Sequence, residues 1–240
     1  MTKLRTAALS DIGNLRSHNE DRYLRNEALG LFGVADGIGG LPGGEEAAQC
    51  AVDEVTRGVA TCPAGTEPDL TAIVQAANER VIQLGMSISP AMGIGSTLTF
   101  ARVQNGTFQL AHVGDSRCYV WHQGRIELLT RDHSVESDAR LRRARGEIVS
   151  YHEANRNALT RCMGQPTPPE VDLANCALKA GERYLLCTDG VTRLIREAEI
   201  AEYLAQDKPP EQICKELIAL ANRRGGPDNS TTVLVMVDEA

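Results

Sequence analysis

No stretch of this 240-residue chain approaches the roughly 18 consecutive apolar residues of a membrane span. The charged start, Met1-Thr2-Lys3-Leu4-Arg5, is followed by no unbroken apolar run, so a secretion signal is not expected. Basic excess is also lacking. The chain has 25 Lys and Arg against 32 Asp and Glu, a net charge of −7, which argues against nucleic acid or an anionic membrane as partner. No C-x-x-C occurs among the cysteines (Cys50, Cys62, Cys118, Cys162, Cys176, Cys187 and Cys214). Their odd number and wide spacing speak against a zinc knuckle, a redox pair or a disulfide framework. They read as small buried hydrophobes in a reducing, cytoplasmic compartment. His18, His112, His122, His133 and His152 show no H-E-x-x-H spacing, and the lone Trp121 reads as a packing residue. Long linkers, low-complexity tracts and internal repeats are absent, and the Pro-dense stretches at 166–169 and 209–210 read as loops. What is present is ordinary globular usage, 42% hydrophobic and 24% charged. A chain of this length buries about 70% of its unfolded surface and needs no disulfide staples. One domain over residues 1–240 is expected.

Apolar runs rich in Val, Phe, Leu and Thr predict strands over Leu4–Leu9, Leu29–Ala35, Ser96–Val103, Thr107–Val113, Arg117–His122, Arg183–Thr188 and Thr231–Val237, with a further strand starting at Tyr23. Asn105-Gly106 and Gln123-Gly124 mark tight turns, and such turns join antiparallel neighbours. Helical spacing of apolar residues predicts helices over Glu45–Val59, Leu70–Leu84, Glu197–Leu204 and Glu211–Ala221. Pairs of helices between runs of strands imply a layered α+β sandwich.

One pattern recurs three times: an apolar strand, a small residue, Asp, then another small residue. It occurs at Val34-Ala35-Asp36-Gly37, Val113-Gly114-Asp115-Ser116 and Cys187-Thr188-Asp189-Gly190. Asp228 stands just before the last strand, and Glu20-Asp21 just before another. A single Asp-Gly is most simply a turn. The repetition points instead to carboxylates gathered at strand ends, an arrangement that is costly without cations. All-oxygen ligands suit hard ions such as Mg²⁺, Mn²⁺ or Ca²⁺. The Gly-rich stretch from Gly37 to Gly44 is not a P-loop, since no Gly-Lys-Ser/Thr follows, and Pro42 breaks the dinucleotide fingerprint. It reads as a bend into the next helix, or as backbone exposed beside a metal site.

Eight segments in order resemble the metal-dependent protein Ser/Thr phosphatases of the PP2C (PPM) family in its bacterial form. They are residues Asp11–Asp21, Val34–Gly40 with Gly43-Gly44-Glu45, Gly95-Ser96-Thr97, Val113–Arg117, Thr130–Ser134, Leu159-Thr160-Arg161, Leu186–Gly190 and Gly226–Thr231. The resemblance implies a four-layer αββα sandwich with two central antiparallel sheets and a binuclear Mn²⁺ or Mg²⁺ site at one end. It implies that Asp36 bridges both ions and that Gly37 offers its carbonyl oxygen. It further implies that Asp189 and Asp228 bind one ion and that Glu20 and Asp21 hold metal-bound water. Asp115 would share a weaker third ion with Asp189, and Arg16 would grip the substrate phosphate. The implied reaction is hydrolysis of phosphoserine and phosphothreonine by a hydroxide held between the ions. Implied partners are phosphoprotein substrates and an opposing Ser/Thr kinase, and the implied state is a monomer. Ile38 stands where animal members carry a proton-donating His, which leaves the leaving-group acid open. Residues 133–157 match the family's variable flap. Its Arg140, Arg142, Arg143 and Arg145 read either as a solvated helix face or as a basic lid over a phosphopeptide. Two rivals are weighed against this: a catalytically silent phosphoprotein-binding module on the same fold, and a binuclear hydrolase of small phosphoesters.

Overall fold

The computed structural model describes residues 2–63 and 66–240. Met1, part of the charged start considered above, lies outside the described residues. Among the described residues, ten strands form two antiparallel sheets of five. The first sheet has the order β1 (Lys3–Asp11), β10 (Ser230–Glu239), β9 (Arg183–Cys187), β6 (Arg117–His122), β7 (Arg125–Leu128). The second runs β2 (Asp21–Asn26), β3 (Leu31–Asp36), β4 (Leu98–Gln104), β5 (Thr107–Val113), β8 (Asp172–Ala177).

Three apolar clusters define the layers. Phe32, Val34, Phe108, Leu110, Tyr184, Leu186, Val233 and Val235 fill the space between the sheets. There the rings of Phe108 and Tyr184, one from each sheet, stack with centroids 4.0 Å apart. The outer face of the second sheet is covered by α1 (Gly44–Ala60) and α2 (Leu70–Ile88) through Ala48, Val55, Val74 and Val81. The outer face of the first is covered by α5 (Glu197–Leu204) and α6 (Pro210–Arg223), through Ile200, Ile213 and Leu217. The result is the expected αββα sandwich. Strand β10 is buried on both faces, Val233, Val235 and Val237 inward and Leu234 and Met236 toward the helices. It therefore reads as a continuous apolar run rather than an alternating one.

Both expected hairpins are present. Asn105-Gly106 (φ 51° and 71°) and Gln123-Gly124 (φ 49° and 79°) hold the two positive φ values of a type I′ turn. Several expectations need correction. Strand β8 was not anticipated: Asp172-Leu173-Ala174-Asn175-Cys176-Ala177 lies at a sheet edge and is half-exposed, so it carries no strong apolar signal. Helix α3 (Val135–Ala144) lies inside the flap, capped by Ser134 and burying only Ala139. Leu29-Gly30 is a turn, and β2 begins two residues before Tyr23. Ser96 sits outside β4 and bridges instead to Gly37 and Met163. All seven cysteines are free, four of them buried and three half-buried. Trp121 is half-buried, with the Arg183 guanidinium 5.0 Å from its ring centroid.

The topology brings chemistry to one edge. Asp36 ends β3 and pairs in register with Asp21, which starts β2. Asp189 follows β9 after Thr188, Asp228 precedes β10, and Asp115 lies in the turn between β5 and β6.

Candidate active site

A cleft of about 430 Å³ opens at that edge, lined by Arg16, Asp36, Gly37, Asp115, Asp189 and Asp228. Six of the eight residues singled out in the sequence therefore meet in one place. Glu20 and Asp21 do not line it, but each adjoins a lining residue: Glu20 lies 3.9 Å from Arg16, and Asp21 pairs in register with Asp36.

The carboxylates are held from below by backbone and hydroxyl groups. The Asp36 amide donates to Thr97 Oγ1 (2.9 Å), and its carbonyl accepts from the Thr97 amide (2.8 Å) and Ser96 Oγ (2.9 Å). Asp21 is only 2% exposed, and its Oδ2 accepts from Thr188 Oγ1 (2.8 Å) and Thr231 Oγ1 (2.7 Å). Asn229 ties three segments together. Its Oδ1 accepts from the Glu20 amide (2.8 Å), and its Nδ2 donates to the carbonyls of Ile12 (2.9 Å) and His18 (3.0 Å). The loop that carries Arg16 is thereby pinned to the segment that carries Asp228. Asp189 opens a one-turn helix, α4 (Asp189–Thr192), and the residue after it must be glycine. A Cβ on Gly190 would lie 1.9 Å from the Asn229 carbonyl oxygen.

Electrostatics show how tightly the charges are drawn together. Burial raises the Asp36 carboxyl well above the usual range, and Asp21, Asp189, Asp115 and Asp228 add to the rise. Burial brings Asp115 to about 7, with Asp189 adding and Arg193 opposing. Asp21 also reaches about 7 through burial, against the pull of its two hydroxyl partners. Asp189 is raised by burial too, an effect that Arg193 opposes. Four carboxylates that all resist ionisation mark a site short of positive charge.

Two arginines supply part of it. Arg16 Nη2 lies 3.0 Å from Asp228 Oδ2, and its Nη1 lies 3.9 Å from Glu20. Arg193 pairs with Asp189 and stands 3.9 Å from Asp115 and 3.8 Å from Asp228. With the guanidinium groups so placed, no three His, Cys, Asp or Glu among the described residues converge as a ready ligand set. The donor set still fits a hard cation. It is all oxygen, and Asp21 Oδ1 and Asp189 Oδ1 are buried with no hydrogen-bond partner. An ion held here would take the unpartnered Asp189 Oδ1 and the Asp228 oxygen now bonded to Arg16. Gly37 is packed so closely that a Cβ there would lie 2.4 Å from the Gly44 backbone, and its amide donates to the Glu20 carbonyl (3.2 Å).

Of the flap only its last residue, Asn157, lines the cleft, with the adjoining Ala158 and Leu159, whereas Arg140, Arg142, Arg143 and Arg145 do not. Arg142 pairs with Glu147 (2.6 Å), Arg143 donates to the Val149 carbonyl (2.8 Å), and Arg140 lies 3.6 Å from Glu136. The solvated-face reading of these arginines is the one the structure supports. The flap is rooted beside Asp115. The His133 amide donates to the Gly114 carbonyl (2.7 Å), and the Thr160 amide donates to the His133 carbonyl (2.8 Å). A second cavity, about 450 Å³, lies under α3, but its Arg117 and Arg131 are already paired with Asp132 (2.6 Å) and Asp138 (3.0 Å). It offers a ligand no unmatched charge.

Sequence reasoning missed Arg193, Thr188 and Thr231 as site residues. Arg193 had a signal, since it stands four residues after Asp189, one helical turn away. The threonine hydroxyls had none, because their partner Asp21 is distant along the chain.

Comparison with known proteins agrees with the geometry. The family model for protein phosphatase 2C matches residues 16–222. A putative protein phosphatase 2C-type from Streptococcus pyogenes is 32% identical over 242 residues, covering 94% of each chain. The solved serine/threonine phosphatase of S. agalactiae superposes with a TM-score of 0.84 at 31% identity, covering 98% of this chain and 100% of that one. The catalytic domain of the serine/threonine protein phosphatase PstP, solved with two manganese ions, gives a TM-score of 0.83 at 30% identity, with full coverage of both chains. Among the described residues no helix is long and apolar enough to cross a membrane. With its carboxylate-lined cleft and its likeness over nearly the whole chain, this protein belongs to the protein phosphatase 2C family of serine/threonine protein phosphatases.

Proposed function

We propose that this chain hydrolyses phosphoserine and phosphothreonine on protein substrates, in the cytoplasm, as a monomeric catalytic unit that opposes a Ser/Thr kinase. One observation carries the reading: Arg16, Asp36, Gly37, Asp115, Asp189 and Asp228 line a single cleft. In this reading Asp36, Asp189, Asp228 and the Gly37 carbonyl hold two divalent ions, Mn²⁺ or Mg²⁺, while Glu20 and Asp21 receive the water around them. Bound there, the ions would offset the charge of the phosphomonoester and acidify water for attack on phosphorus. The chain's own residues do the rest. Arg16, whose Nη2 lies 3.0 Å from Asp228, would present a planar fork to two phosphate oxygens. Thr188 and Thr231 keep Asp21 oriented, and Asn229 keeps the Arg16 loop against the Asp228 segment. Ile38 offers no proton, so the leaving oxygen takes its proton from water in the cleft, and Asp115 is our candidate to orient that water. The silent binding module is not favoured, because every carboxylate the chemistry needs is present and faces the cleft or its wall. The test is hydrolysis of a phosphothreonine peptide by the purified chain with Mn²⁺, with Mg²⁺ and with EDTA. Turnover that requires a divalent ion supports the reading. Equal turnover in EDTA, or none with either ion in folded protein, sinks it.

A further inference from the structure

Arg193 has no role in the reading so far, yet it is the most highly connected cation of the cleft. It leaves the chain one turn after Asp189, so its guanidinium folds back over that carboxylate. The same group lies 3.9 Å from Asp115 and 3.8 Å from Asp228. Its three partners come from three separate places: the turn between β5 and β6, the start of α4, and the segment before β10. Arg16 faces the other side, toward Asp228 and Glu20. Asp228 lies between the two guanidinium groups, and of the two only Arg193 reaches the Asp115–Asp189 edge. Its side chain is 44% exposed, so the head reaches in from a solvated wall. Asp189 Oδ1 stays unpartnered even so, which shows that one guanidinium does not satisfy that carboxylate completely.

We propose that Arg193 is a tethered cation that holds the Asp115–Asp189 edge, so that the centre takes two divalent ions and an additional ion beside Asp115 is excluded. The inference rests on the metal-dependent reading above. A guanidinium carries its charge at any physiological pH and cannot diffuse away. An extra ion beside Asp115 would meet that charge at close range and would have to displace it. Remove the guanidinium and the two carboxylates face each other with no counter-charge, an arrangement that draws in an ion.

The experiment counts Mn²⁺ by calorimetry and by electron paramagnetic resonance on the full chain, for wild type, Arg193→Met, Arg193→Gln and Arg193→Lys. Wild type and Arg193→Lys are expected to bind two ions. The two neutral variants are expected to bind an additional one, at least about tenfold tighter than any weak site of wild type (roughly 1.4 kcal/mol). Adding Asp115→Asn to Arg193→Met should abolish the gained ion. Without metal, the neutral variants should melt earlier than wild type and recover when Mn²⁺ is added. Three ions on wild type, unchanged stoichiometry and affinity in both neutral variants, or early melting that Mn²⁺ does not reverse, would each overturn the assignment. Failure of every form, wild type included, to bind Mn²⁺ would instead overturn the metal-dependent reading itself.

Discussion

At the scale of single residues, the site depends on close approach as much as on charge. Gly190 follows Asp189 with the Asn229 carbonyl where its Cβ would be. Gly190→Ala should therefore cost on the order of 1–3 kcal/mol, read as a lower urea midpoint, because backbone rather than a pliable side chain must move. It should also weaken metal binding, since Asn229 pins the loops of Glu20 and Arg16. Arg16 tests the phosphate role. Arg16→Lys keeps the charge but loses the two-pronged fork, so kcat/KM on a phosphothreonine peptide should fall roughly 10–100-fold while Mn²⁺ affinity holds. An unchanged kcat/KM would reduce Arg16 to an ion-pair partner of Asp228. The carboxylates were legible in the sequence because strand, small residue and Asp recur in a fixed order. Arg193 was legible only through its place one turn after Asp189, because Asp115 and Asp228 come to it only by folding.

At the scale of elements, what could be read depended on where the element is buried. β5 and β6 have the bounds their patterns predict, since turn residues with positive φ delimit the hairpins. α5 likewise runs as expected, over Glu197–Leu204. β8 escaped notice because an edge strand needs little apolar character, and α3, which buries a single alanine, showed only as a possible solvated helix face of the flap arginines. The flap root contains a further device. His112 Nε2 donates to the Arg131 carbonyl (3.0 Å), and its Nδ1 accepts from Thr99 Oγ1 (2.8 Å), which leaves the ring neutral. His133, 4.6 Å away between ring centroids, donates from Nε2 to Asp172 (3.1 Å) and accepts the Gly114 amide at Nδ1 (3.1 Å). Burial, reinforced by His133, lowers His112 from 6.5 to about 4. The unfolded chain thus binds a proton near pH 6.5 that the folded chain refuses until about pH 4. This contribution is fully present above about pH 6.5 and is lost as the pH falls toward 4, on the order of 3 kcal/mol in all. His112→Gln should flatten the acid limb of stability between pH 6.5 and 4, measured by urea midpoints across that range. A limb as steep as in wild type would place the sensitivity elsewhere.

At the scale of the whole molecule, two sheets and two helical layers serve to hold like charges at one edge. The structure resists their repulsion with a doubly buried β10, with the clamped Asn229 and with two arginines. Binding of divalent ions by the folded chain alone should raise its melting temperature, by about RT ln(1 + [L]/Kd) in free energy. EDTA should reverse that rise, as followed by a thermal scan. The most direct test of the central claim is the rate of phosphothreonine-peptide hydrolysis by Asp36→Asn at saturating Mn²⁺, in protein shown by circular dichroism to be folded. The account predicts a loss of at least about a thousandfold, because Asp36 is the carboxylate proposed to serve both ions, and it is buried with Asp21, Asp189, Asp115 and Asp228 all acting on it. A rate near wild type would contradict it, and would mean that the carboxylate cluster is not where the phosphate is cleaved.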